Sequence, residues 1–215
     1  RARKAGLIIT PRDVFQLQSV PAIAPLAQRL DSTELSLPDV PVGPMPLMPI
    51  MQWFLQQQQG GAFDRFSQSM LLQTPPALRL QPLTTALQAL LDHHDALRLQ
   101  LQPVTERTAW QLEVLPPGHV RACYCLRHID LRDLDETSRR HCIAQQTEAA
   151  EARLNPAAGL MLQALWFDAG HEQPGRLLLT LHHFAVDGVS WRILVPDLIS
   201  AWQAAQASAP CVLDP

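Results

Sequence analysis

Apolar residues recur at helical spacing over two long stretches of this chain and alternate over several shorter ones. Pro82 opens a helix whose positions Leu83, Leu87, Leu90, Leu91 and His94 share one face. Residues 135–154 predict a second, polar-faced helix that turns Ile143, Thr147, Ala150 and Leu154 to the core. Strand-like alternation occurs at Leu97, Leu99 and Leu101 and again at Trp110, Leu112 and Val114, so the residues between them read as a hairpin turn. Residues 66–73 predict a further strand, and 161–167 and 176–182 predict two more joined by a Gly/Pro turn. A short helix over 49–58 places Ile50, Trp53 and Phe54 on one side and ends at the glutamines and glycines of 56–61. The last helix carries Ile193, Leu194, Leu198 and Trp202, and Pro196 inside it should kink or restart it. Helices interleaved with hairpins indicate an α/β fold of the α+β sandwich kind, with helices covering a largely antiparallel or mixed sheet. There is no internal repeat and no glycine-rich phosphate loop.

The first thirty residues follow a different pattern. Thr10 and Pro11 suit an N-cap and first helical position, and Val14, Phe15 and Leu17 give a short apolar face. A second short helix starts near Ser19 and runs towards Leu30. Two such helices bury too little surface to stand alone and read as the tail of another domain. Residues 31–46, with Pro38, Pro41, Pro44 and Pro46, read as an extended linker. The main domain is then expected over 47–205, with 206–215 leading onward.

The length of 215 residues allows one large domain plus fragments, and 47% hydrophobic content supports a sizeable core. A net charge of -3 gives no reason to expect nucleic acid or an anionic membrane as partner. No apolar run approaches the ~20 residues that span a bilayer, and the basic N-terminal residues precede no signal-peptide core. Cys123, Cys125, Cys142 and Cys211 form no zinc spacing; Cys123 and Cys125 are expected in a strand, facing one way. Without a disulfide pattern, a cytoplasmic setting is the default.

Candidate chemistry concentrates at His182-His183-Phe184-Ala185-Val186-Asp187-Gly188-Val189-Ser190-Trp191. Neighbouring side chains on an extended strand point to opposite faces, so one histidine should be buried while the other enters a cleft. That separation disfavours a two-histidine metal chelate, and no metal is expected. Asp187 is expected to cap the next helix or pair with an arginine, and Gly188 to leave room for close approach. A cleft-facing histidine suits a general base near neutrality. Spacing alone leaves open the alternative of two hydrogen-bonded core histidines. His93-His94-Asp95, at a helix end, reads as packing and capping, and His119, His128, His141 and His171 as surface.

The segment 182–188 resembles the HHxxxDG signature of the condensation-domain superfamily of nonribosomal peptide synthetases. Val189-Ser190-Trp191-Arg192-Ile193-Leu194 is similar to the epimerization branch. So are Pro49-Ile50-Met51-Gln52-Trp53-Phe54, with Met51 where that branch has Gln, and Phe66-Ser67-Gln68-Ser69-Met70-Leu71-Leu72. His93-His94-Asp95-Ala96-Leu97-Arg98 resembles its H-H-D-A-L-R segment. The ordered matches span about 45–205. The resemblance implies a chloramphenicol-acetyltransferase-like N-terminal lobe, preceded by the last helices of a peptidyl carrier domain whose phosphopantetheine-bearing serine lies before Arg1.

The resemblance further implies L-to-D epimerization at Cα of an aminoacyl or peptidyl thioester on 4'-phosphopantetheine, within a multidomain pathway of the antibiotic-forming kind. His183 would be the acid/base, His182 its structural neighbour and Asp187 the loop brace. Gly188, Ser190 and Trp191 would lie along the substrate arm. Implied partners are the loaded carrier, neighbouring modules and a second lobe supplying a further acid/base group, so this stretch alone is expected to be inactive. The rival readings are a condensation domain that joins two carrier-bound substrates and a non-catalytic docking module.

Overall fold

The computed structural model describes residues 6–29, 42–57, 65–104 and 109–213. The chain forms two compact units, divided between Asp39 and Val40. In the first, strand β1 (Leu7–Ile8) pairs antiparallel with β2 (Gln28–Arg29) around helices α1 (Pro11–Leu17) and α2 (Val20–Ile23). Thr10 starts α1 through a capping box: its hydroxyl accepts from the Asp13 amide at 3.2 Å and the Asp13 carboxylate accepts from the Thr10 amide at 2.8 Å. The second helix does not run on towards Leu30. It tightens into a 3-10 turn at Ala24–Leu26, where Pro25 has no N–H to continue the α-helical ladder.

The second unit opens with β3 (Gly43–Met45), α3 (Pro49–Gln57), β4 (Ser67–Gln73) and α4 (Leu80–His93). It continues with β5 (Leu99–Val104), β6 (Ala109–Val114), α5 (Ala122–Cys125), β7 (Leu126–Asp130) and α6 (Glu136–Glu151). It ends with β8 (Leu162–Asp168), β9 (Arg176–His182) and α7 (Trp191–Gln206). The main sheet runs β4-β9-β8-β7, with β7 parallel to β8 and the other pairs antiparallel; a smaller sheet runs β3-β6-β5.

Burial explains the leucine runs. Residues 162–167 and 177–182 are buried throughout, because β8 and β9 are the central strands and carry packing on both faces. Leu177, Leu179 and Leu181 join the core built with α4 and α7, whereas Leu178 joins Leu165, Phe167 and Ala150 beneath α6. Edge strand β4 alternates between half-buried and exposed positions from Ser69 onward.

Several local expectations change. Residues 43–45, expected inside the linker, form an edge strand; Pro44 fits there because an edge position need not donate to a ladder. In α3 it is Met51, 3% exposed, that enters the core, while Ile50 and Trp53 are 64% and 56% exposed. Apolar residues fill most positions of this segment, so periodicity could not choose its inner face. Cys123 and Cys125 lie in the one-turn helix α5 and not in a strand, so Cys123 is exposed and Cys125 buried. Burial pushes the Cys125 thiol up to about 11. Helix α7 continues through Pro196 as one element. His128 is surface-exposed but not alone: it stacks on Trp166 at 4.4 Å and bonds Asp168 at 3.1 Å. Residues 30–41, expected as linker, and residues 105–108, expected as a turn, lie outside the described residues. Among the described residues no helix is long and apolar enough to cross a membrane.

Candidate active site

The site forms where β9 ends. Its backbone ladder with β4 carries Ser67 opposite His182, and one step further the His183 amide donates to the Phe66 carbonyl at 2.7 Å. The chain then turns tightly, with the Ala185 amide donating to the His182 carbonyl at 2.9 Å. The two histidines consequently part. His182 is fully buried, its ring edge-on to Phe66 and Phe184, and its Nδ1 accepts from the Phe184 amide at 3.2 Å. His183 is half-buried and forms part of the wall of a cavity of about 570 Å³. Its ring stacks on Phe66 with centroids 4.6 Å apart.

Hydrogen bonding fixes the state of His183. Nδ1 lies 2.7 Å from the Val186 carbonyl oxygen, which can only accept, so Nδ1 bears the hydrogen. Nε2 lies 2.9 Å from the side-chain amide nitrogen of Gln68. The Gln68 carbonyl oxygen in turn accepts from the Trp191 indole N–H at 3.0 Å. An indole nitrogen only donates, so Gln68 must direct its NH₂ at His183. Neutral His183 therefore holds its lone pair at Nε2, where a general base needs it.

Asp187 does not touch this imidazole. Its carboxylate accepts from the amides of Val189 and Ser190 at 2.9 and 2.8 Å and from the Ser190 hydroxyl at 2.8 Å. The Ser190 hydroxyl accepts from the Asp187 amide at 3.1 Å, which closes the turn reciprocally. These bonds, those from Ser190 foremost, hold the Asp187 carboxyl below the usual carboxylate range. The sequence predicts Asp187 as a helix cap or as a brace of this loop through an arginine. It lies in the turn before α7, which begins at Trp191, and its partners are amides and a hydroxyl rather than an arginine. Gly188 is exposed, and a Cβ there would meet no atom within 4 Å.

Trp191 joins the α7 core at 8% exposure while also reaching Gln68. The sequence alone does not single out Gln68. The signal that reveals it is register: Phe66 and Gln68 share the strand face that meets His183, whereas Ser67 and Ser69 share the opposite one.

Aromatic and aliphatic side chains dominate the cavity, among them Met48, Trp53, Phe54, Phe66 and Val186; Asp95 adds a carboxyl. The His93-His94 pair lies elsewhere. His94 Nε2 bonds Asp197 Oδ2 at 2.9 Å and ties the end of α4 to α7. Ligand atoms of His93, His94 and Asp197 lie within 4.8 Å of one another. Arg98 of the same segment is 1% exposed and donates to the carbonyls of Leu91, Asp92 and Leu115 and to the Asp95 carboxylate.

A four-stranded mixed sheet packed by helices on both faces, with a histidine at the end of a central strand, defines a chloramphenicol-acetyltransferase-like lobe. The condensation-domain model matches residues 43–215, and the chain belongs to the condensation-domain family of nonribosomal peptide synthetases. It is 35% identical over 215 residues to a linear gramicidin synthase of Brevibacillus parabrevis, covering all of this chain and 4% of that protein. It superposes on the epimerization domain from the third module of tyrocidine synthetase B with a TM-score of 0.68 and 25% identity, over 80% of this chain and 36% of that one. The first condensation domain of the calcium-dependent antibiotic synthetase, in complex with a substrate analogue, gives a TM-score of 0.68 at 17% identity, over 81% and 40%. The chain thus spans well under half of each of these relatives.

Proposed function

We propose that this chain supplies one side of an epimerization site acting on an aminoacyl or peptidyl thioester. The substrate would be borne on the 4'-phosphopantetheine of a carrier domain, and residues 1–30 would be the end of such a carrier. The observation that carries the proposal is His183: a neutral imidazole with its lone pair at Nε2 and its ring on the wall of a largely apolar cavity. A thioester carbonyl acidifies the adjacent Cα–H. His183 Nε2 takes that proton, the C–H electron pair moves onto the carbonyl oxygen, and a planar enolate forms. A proton delivered to the opposite face by a group of the second lobe inverts the centre. His182 holds the strand end, Asp187 and Ser190 hold the turn, and Gly188 leaves room beside it. Identity of 25% to an epimerization domain, against 17% to a condensation domain at the same TM-score, supports this branch, as do Ser190 and Trp191.

The test uses the two-lobe domain, an L-aminoacyl carrier and deuterated water. Deuterium should enter at Cα with no acyl transfer, and His183→Ala should slow that entry by about 100-fold or more, the contribution of a positioned acid/base. Amide formation with a second loaded carrier would assign condensation instead. Neither reaction, with carrier binding intact, would assign docking.

A further inference from the structure

We propose that Gln68 is a positioning residue for His183, locked by Trp191 so that only its N–H donors face Nε2 and the base works as a short-lived proton carrier. This assignment rests on the proton-transfer reading of His183 given above. It requires three contacts in series: Trp191 Nε1 to Gln68 Oε1 at 3.0 Å, Gln68 Nε2 to His183 Nε2 at 2.9 Å, and His183 Nδ1 to the Val186 oxygen at 2.7 Å. Every direction in the series is fixed by its ends. The indole can only donate and the peptide carbonyl can only accept, so reversing the middle amide would set donor against donor at one joint and acceptor against bare nitrogen at the other.

The consequence appears when His183 takes a proton from the substrate. The new Nε2–H meets the Gln68 NH₂, which offers it no acceptor, while Gln68 Oε1 stays held by the indole. The C–H bond breaks, its electron pair rests on the thioester oxygen, and the imidazolium keeps its proton without a partner at Nε2. Such a proton is readily given up to an enolate carbon or to water. An orienting carboxylate in that place would have the reverse effect and hold the proton. Trp191 is anchored in the α7 core, so the amide has a fixed pivot rather than free rotation. Gln68 and Trp191 lie 123 positions apart in sequence, yet both belong to the segments that resemble the epimerization branch. The bond between them, with Gln68 alone reaching the histidine, gives those two markers a common physical purpose.

Among the described residues, the acidic groups lining the cavity with His183 are Asp187 on its own turn and Asp95; the variants below leave both in place. The experiment is ring-¹⁵N NMR of His183 in the two-lobe domain, read with α-deuterium exchange. In the unsubstituted protein near neutrality, His183 should show a protonated Nδ1 and a bare Nε2. In Gln68→Glu, the carboxylate keeps the indole bond but now accepts from Nε2–H. The pH at which the ring gains its second proton should rise by about one to three units, the effect of an opposite charge in contact. Exchange near neutrality should fall at least tenfold and recover partly at higher pH. Trp191→Phe should keep the hydrogen on Nδ1, where the Val186 carbonyl still accepts it, and leave the titration midpoint closer to that of the unsubstituted protein.

A protonated Nε2 in the unsubstituted protein overturns the proposal, and so does a Gln68→Glu titration that superimposes on the original. The unsubstituted spectrum is decisive even if a variant fails to fold. Correct ring signatures with no α-exchange would sink the epimerization reading while leaving the positioning device standing.

Discussion

Replacing Arg98 by Met should destabilise the lobe severely, although the change swaps a buried charge for an unbranched apolar chain. Arg98 is 1% exposed, and its guanidinium donates to Leu91 O at 2.8 Å, Asp92 O at 2.6 Å and Leu115 O at 2.8 Å, and to Asp95 Oδ1 at 2.6 Å. Leu91 and Asp92 belong to the last turn of α4, where carbonyls have no N–H one turn ahead inside the helix. Arg98 is thus the C-terminal cap of that helix, delivered from the 3-10 turn at Asp95–Arg98 that follows it. A buried acceptor left unpaired costs about 1–3 kcal/mol. Three carbonyls are affected; Asp95, 41% exposed, can recover water. Allowing for relaxation and for the apolar gain of Met, the loss should be about 3–6 kcal/mol. For a chain of this size each kcal/mol moves Tm by about 2–4 °C, so melting should fall by about 6 °C or more. Urea denaturation followed by circular dichroism gives the free energy, and a thermal scan gives the shift. Arg98→Lys should lose most of the same stability, because one ammonium cannot meet three divergent carbonyls. A midpoint for Arg98→Met within about 1 kcal/mol of the original would refute the capping role, since that is less than one unpaired buried carbonyl costs.

Two further outcomes follow from the titrating groups. Burial, then the neighbouring His93, lowers the pKa of His94 below 6.5, while Asp197 only partly opposes this. The folded state therefore binds the proton less well than the unfolded chain; His94 contributes stability that is full above about 6.5 and lost as pH falls through its lowered value. His94→Gln should flatten that acid limb in stability measured from pH 8 to 5, and an unchanged limb would mean that His94 does not control it. At the turn, Asp187→Asn keeps an oxygen acceptor for the Val189 and Ser190 amides and should retain more α-exchange activity than Asp187→Ala. Equal losses in the two variants would show that the charge, rather than the bracing, is what the reaction needs.

The elements legible from sequence were those whose apolar pattern is distinctive: one buried stripe in α4 and an unbroken apolar run in β8 and β9. Helices α4 and α6 and strands β8 and β9 fall within a residue or three of their expected limits. The separation of His182 from His183 was also readable, since alternation on a strand is a local property. Arg98 was not: a buried arginine is indistinguishable in sequence from an exposed one, and only the carbonyls gathered around it give it a reason to be inside. Gln68 was hidden for a related reason. Its link to His183 depends on how β4 lies against β9, which is set by tertiary pairing and has no local trace. Strand β3 was obscured by Pro44, which signals a linker unless an edge position is already known.

The ladder between β4 and β9 has a consequence for building hybrids of this lobe. It is continuous from Ser67 opposite His182 to Gln73 opposite Arg176, with no bulge to absorb an extra residue. A slip of one position would rotate Gln68 to the far side of the sheet and bring a serine towards the histidine, yet leave backbone pairing almost intact. A chimera could therefore fold and still lose its chemistry. Donor segments should be joined so that the count from Phe66 to Gln73 is preserved against the count from Arg176 to His183: in this lobe, reactivity is inherited through alignment of two strands as much as through the identity of any side chain.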